Sequence, residues 1–168
     1  MITYREIKEE DAERHLKLCL KLDQETKFML LEPDERKTSD KAHQERIRAI
    51  TGSPNSTIIV AEDNDELVGY LAVNGGGANK IKHLGHIVIG ILKDYTGKGV
   101  GTALFQAAEA WRTQSGSGIT KFELTVMVPN EAAIALYKKM GFEIEGTKKN
   151  SIRMDGKYVD EYYMGKMF

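Results

Sequence analysis

The chain has 168 residues, 41% hydrophobic and 29% charged, which suits one compact domain over residues 1–168. Its 24 Lys and Arg against 25 Asp and Glu leave a net charge of -1, so no overall attraction to nucleic acid or an acidic membrane is expected. Cys19 is the single cysteine, which excludes an intrachain disulfide, and no apolar run approaches the roughly 20 residues of a spanning helix. The charged opening "MITYREIKEED" lacks the apolar core of a signal peptide, and the expected setting is the reducing cytoplasm.

"MITYREI" alternates apolar and polar residues as a short strand does. "KEEDAERHLKLCLKLDQET" then places Ala12, His15, Leu16, Cys19 and Leu20 on one helical face, behind an acidic start that complements the helix dipole. Pro33 breaks the pattern, and "SDKAHQERIRAI" follows as a more polar helix capped by Ser39. "TIIVAE" and "LVGYLAV" flank the turn "DNDE" as a hairpin. After the loop "GGGANKIKH", the most flexible in appearance, "LGHIVIGIL" is a β-branched strand that runs into "DYTGKGVGTALFQAAEAW". "GSGITKFELTVMV" reads as a strand, and "PNEAAIALYKKMGF" as a helix stopped by Gly141. A last hairpin turns at "MDGK". The order β-α-α-β-β-β-α-β-α-β-β describes an α/β (α+β) chain with an antiparallel first half and one central β-α-β unit.

Gly97, Gly99 and Gly101 stand between that β-branched strand and a helix. The first N–H groups of a helix have no intrahelical partner and carry the positive end of its dipole, so they suit an anion such as phosphate, and Lys98 adds charge. A Walker loop is absent. A Rossmann fingerprint would need glycine at 102, where Thr stands, and Glu123, near the expected acidic position, alternates within a strand. A second pattern, "VPNEAAIALYKKMGF", places Asn130 at a helix start and Tyr137 two turns later. Separately they read as a helix cap and an amphipathic edge residue.

In register, the two segments resemble the GNAT superfamily of N-acetyltransferases. "YTGKGVGTALF" is similar to its Arg/Gln-x-x-Gly-x-Gly/Ala pyrophosphate signature, and "VPNEAAIALYKKMGF" to its Asn-x-x-Ala-x-x-x-Tyr-x-x-x-Gly-Phe signature. The resemblance covers the whole chain. It implies a mixed, mostly antiparallel twisted sheet of about seven strands flanked by about four helices, with a β-α-β coenzyme A-binding core. It implies acetyl-CoA as co-substrate and no metal. The main chain of Ile89, Gly90 and Ile91 would pair with pantetheine amides, and the N–H groups of Gly97, Lys98, Gly99, Val100, Gly101 and Thr102 would hold the pyrophosphate. Asn130 would touch the pantetheine arm or the phosphate region next to it, and Tyr137 would lie by the thioester sulfur. Thr96 departs from the usual Arg or Gln.

Acetyl transfer to an amine requires a neutral nucleophile, an oxyanion donor and a proton for the leaving thiolate. Tyr137 suits the last role. Where one branch of the family has a glutamate base, this chain has Thr125. Other members carry the base on the strand before the glycine turn, which here offers His86 and His83, with Glu123 a third candidate. The acceptor amine would bind between the first helices and the terminal hairpin, near Phe28, Met29, Glu32, Tyr158 and Asp160. The expected enzyme moves an acetyl group to a primary amine, of a small molecule or a peptide N-terminus, by direct attack in a ternary complex. A non-catalytic acyl-CoA-binding module is the alternative. The resemblance also allows a homodimer, because exposed apolar strands of this fold often pair.

Overall fold

A computed structural model describes residues 1–168. The strands are β1 (Thr3–Glu6), β2 (Thr57–Asp63), β3 (Glu66–Gly75), β4 (Leu84–Ile91), β5 (Lys121–Met127), β6 (Glu143–Met154) and β7 (Lys157–Met167). The α-helices are α1 (Ala12–Glu25), α2 (Asp40–Thr51), α3 (Val100–Gln114) and α4 (Glu131–Lys139). All seven strands form one sheet in the order β1-β2-β3-β4-β5-β7-β6, and only β4 and β5 run parallel.

Local chemistry explains the turns. Asn64 and Asp65 take φ of 50° and 64°, and Asp155 and Gly156 take 54° and 75°. Paired positive φ at the two central residues is what a tight hairpin with right-twisted strands requires, and Asn, Asp and Gly supply it. Ser39 caps α2 by accepting the Ala42 N–H at 3.1 Å. Gly141, at φ 94°, ends α4. The loop before β4 is pinned rather than loose, because the Asn55 amide donates to the carbonyls of Gly76 and Lys82, both at 3.1 Å.

The sheet is covered on both faces, by α1 and α2 on one and by α3 on the other. Helix α1 buries Ala12, His15, Leu16, Cys19 and Leu22, but Leu20 is exposed, contrary to the sequence expectation. At about 100° per residue, Leu18 and Leu20 lie on opposite shoulders of the stripe centred on Cys19, and the packing rolls Leu18 inward. At the start of α1 the fully buried Asp11 accepts from Arg5 at 2.7 and 3.0 Å, from Arg14 at 2.5 Å and from the Lys8 N–H at 2.8 Å. Burial opposes ionisation of Asp11, but these donors outweigh it and hold its pKa far below the usual carboxylate range. That stabilisation is present above the unfolded carboxylate pKa and is lost as pH falls through the depressed folded value. Asp11→Ala should destabilise the fold by about 3 kcal/mol, because two cations lose their buried partner. Urea melts at pH 7 and pH 3 check this: the gap between wild type and variant should narrow at pH 3.

Candidate active site

Strands β4 and β5 are paired only from Leu84–Lys121 to His86–Glu123, after which they part. Strand β4 stays on β3 as far as Ile91, while β5 follows β7. The parity of the β3–β4 ladder decides which groups this opens. Leu92 donates to the Val68 carbonyl and Gly76 to that of Leu84, so even-numbered residues of β4 bond to β3 and odd-numbered ones turn toward β5. The main-chain N–H and C=O groups of Ile89 and Ile91 therefore face the opening with no strand opposite. Gly90 differs from the expectation. Its main chain pairs with Tyr70, and a Cβ there would come within 2.7 Å of Leu22, so this glycine serves the seating of α1 on the sheet.

The opening is a cleft of about 1090 Å³. One end is the glycine turn, where no main-chain N–H from Gly97 to Thr102 donates to the protein. The first helical bond runs from Ala103 to Gly99 at 3.0 Å. Six consecutive donors are thus left at the positive end of a 15-residue helix. The three glycines have separate reasons. Gly97 and Gly99 have φ of 72° and 82° with open space where a Cβ would sit, so conformation demands them. Gly101 lies inside α3, where a Cβ would approach Leu136 to 2.7 Å, so it lets α4 pack close. Thr96 caps the preceding turn by donating to the Lys93 carbonyl at 2.7 Å. The Lys98 ammonium sits 5.6 Å from the centre of the Tyr95 ring, and Lys139 reaches the turn by donating to the Thr102 hydroxyl at 3.3 Å. No local pattern marks Lys139, because its proximity depends on how α4 crosses α3.

Asn130 caps α4, its Oδ1 accepting the Ala133 N–H at 3.3 Å, and it also lines the cleft, its amide nitrogen without a protein partner. Tyr137 is 7% exposed, its ring edge-on to Phe105 at 5.9 Å between centroids. Its hydroxyl has no protein partner, yet it is not among the sealed, unsatisfied polar atoms, so it opens on the cleft. Burial pushes its pKa up to about 12. It is a protonated donor throughout the neutral range.

His86 stands at the point where the strands part, between Asn74 of β3 and Glu123 of β5, and lines the cleft with Thr125. His83 does not. It is exposed, and its carbonyl takes the Thr120 N–H at 2.9 Å. Of the residues expected for the acceptor, Phe28 and Met29 line the cleft, whereas Glu32, Tyr158 and Asp160 lie outside it. The Glu32 N–H is taken by the Glu35 carboxylate at 2.9 Å, Tyr158 is 64% exposed, and Asp160 accepts the Asn150 N–H at 2.8 Å. The carboxylate of β7 that does face the cleft is Glu161, only 9% exposed, with Lys148 3.7 Å away. Arg36 and Arg46 also line it.

Main-chain donors at a helix start, an open strand edge and a buried hydroxyl along one cleft suit an extended ligand with an anionic end. Residues 19–142 match the Acetyltransferase (GNAT) family. The L-amino acid N-acetyltransferase AaaT of Escherichia coli K12 is 33% identical over 133 residues, 77% of each chain. The acetyltransferase of GNAT family from Streptococcus pneumoniae superposes with a TM-score of 0.95 at 28% identity over the whole of both chains. A GNAT superfamily phosphinothricin acetyltransferase from Sinorhizobium meliloti, in complex with acetyl-CoA, has the same fold, with a TM-score of 0.84 at 20% identity over 99% of this chain and 88% of that one. The chain belongs to the GNAT family. It is an acyltransferase of the N-acetyltransferase type, dependent on acetyl-CoA, with an amine as acceptor. No helix is long and apolar enough to cross a membrane.

Proposed function

We propose that the cleft holds acetyl-CoA with its pyrophosphate on the N–H groups of residues 97–102 and its pantetheine arm along the open edge of Ile89 and Ile91. The acceptor, a primary amine of a small molecule or a peptide N-terminus, enters from the α1–α2 side, in the cytoplasm. The co-substrate supplies an activated acyl carbon. The amine nitrogen attacks it directly, the C–S bond breaks, and coenzyme A leaves as the thiol. Three tasks fall to the protein. The Ile89 N–H is the donor for the carbonyl oxygen as it gains charge. His86, on the acceptor side of the sheet, takes the ammonium proton and passes it to solvent. The Tyr137 hydroxyl protonates the departing sulfur and is restored by the second proton, which the nitrogen sheds as the amide forms. No group of the protein is acylated, and Cys19 remains a buried packing residue whose pKa burial pushes up to about 11.

The observation that carries this reading is the row of six unpartnered N–H donors and an unpartnered tyrosine hydroxyl on one cleft. Calorimetric titration with acetyl-CoA tests binding, and thiol release with an amine panel tests transfer. Tight binding without turnover on any amine would favour an acyl-CoA-binding module. For His86→Ala, kcat/KM for the amine should fall about 10- to 100-fold at pH 7. The deficit should shrink as pH approaches the amine's own pKa, where free amine needs no base. A deficit unchanged with pH would remove His86 from that role.

A further inference from the structure

A second, smaller pocket of about 80 Å³ adjoins the cleft on the α1–α2 face and shares Arg36, Arg46, Tyr70 and Val88 with it. Its floor is His15 and His43, stacked, with Nδ1 of one 2.8 Å from Nε2 of the other. Burial lowers the pKa of His15 to about 3, with help from His43 and the two arginines, and lowers that of His43, so both rings are neutral near pH 7. The positive charge of the pocket therefore rests on its arginines.

Four polar groups of this pocket have hydrogen-bonding capacity that the protein leaves unused. Arg46, an exposed residue that lines both the pocket and the cleft, makes no ion pair or hydrogen bond with any protein group. Arg36 gives Nε and Nη2 to Asp23 at 2.8 and 3.1 Å, which fixes the guanidinium and leaves Nη1 free. The Asn74 amide has no partner. The Tyr70 hydroxyl, on a residue only 6% exposed, has no nitrogen or oxygen partner and lies beside the Cys19 thiol. No Asp or Glu lines the pocket. One cation without a carboxylate partner, the remaining Nη1 of an arginine already held by Asp23, and two neutral donors lining a volume this small suit a planar oxyanion.

Resting on the acetyl-transfer reading for its place beside the reacting amine, we infer that this pocket holds a carboxylate of the acceptor, with Arg46 as its chief partner. The acceptor is then a free amino acid and not an amine lacking a nearby carboxylate, such as a peptide N-terminus. An amide in place of the carboxylate loses the charge-assisted bonds to the arginines.

The test uses the full chain, a set of L-amino acids and their matched amides and decarboxylated amines. Thiol release should favour each acid that turns over by about 10- to 100-fold in kcat/KM over its amide, mainly through KM. Arg46→Gln should erase that preference, and Arg46→Lys should restore part of it. Arg46 is exposed and makes no ion pair or hydrogen bond within the fold, so both variants should melt close to wild type and bind acetyl-CoA as it does. Equal use of acids and amides, or an Arg46→Gln loss that falls on both alike, would overturn the assignment while leaving acetyl transfer standing. Absence of turnover with every amine would instead count against acetyl transfer. Calorimetry with N-acetyl amino acids and N-acetyl amino amides in the presence of coenzyme A then decides the pocket alone: binding of the acids and not the amides upholds it, and no difference overturns it.

Discussion

Gly99→Glu should abolish acetyl-CoA binding while the fold survives. A Cβ at residue 99 meets nothing within 4 Å, so the new side chain starts in open space. It brings a carboxylate beside the row of N–H donors from Gly97 to Thr102, where the pyrophosphate is proposed to sit. Like charges at close range in a partly enclosed site cost several kcal/mol, so a loss of at least about 100-fold in affinity is expected. Residue 99 has φ of 82°, and forcing any side chain there costs about 1–2 kcal/mol of backbone strain. Gly99→Asn separates the two effects, because Asn tolerates the left-handed region and adds no charge. Titration calorimetry should find the Asn variant within about tenfold of wild type and the Glu variant without detectable heat. Equal affinities for the two variants would refute the phosphate cradle.

The second large effect is expected at Tyr137. Tyr137→Phe should lower kcat by about 100- to 1,000-fold and change KM for acetyl-CoA less than about threefold. The hydroxyl bonds to no protein group, so its removal breaks nothing in the fold. The ring keeps its packing on Phe105, and the melting temperature should be equal or slightly higher. Stability and activity therefore move independently, which a structural role cannot produce. With burial raising its pKa to about 12, the wild-type hydroxyl holds its proton across any practical assay range. An alkaline limb in kcat below pH 10 would have to come from another group. A Phe variant as active as wild type would remove the tyrosine from proton transfer.

Much of the scaffold is legible along the chain because it rests on short-range chemistry. Asn64–Asp65 and Asp155–Gly156 mark their hairpins by tolerance of positive φ, Ser39 marks the start of α2, and Gly141 the end of α4. The glycine turn and the Asn130–Tyr137 spacing were equally readable, since each is a local run of backbone geometry. The acceptor side was not. Asp160 and Tyr158 lie outside the cleft and Glu161 lines it, because register decides which alternate residue of β7 faces inward. Glu161 pairs with Met127, while the bulge between Lys148 and Ile152 hands Asp160 the Asn150 N–H. Arg36 and Arg46 carry no motif. They meet only because the segment after α1 and the second turn of α2 fold over the same patch of sheet.

The order of elements, the αL positions at Gly97 and Gly99 and the cap at Asn130 follow from the sequence alone, since each depends on residues a few positions apart. Tertiary structure decided which donors stay open. Ile89 and Ile91 are free and Gly90 is not, through the parity of one ladder and the parting of β4 from β5. Long-range pairing also chose His86 over His83 for the cleft wall and gathered the arginines. No local preference encodes which strand edge will be left without a neighbour, because that is settled by where the other strands find theirs.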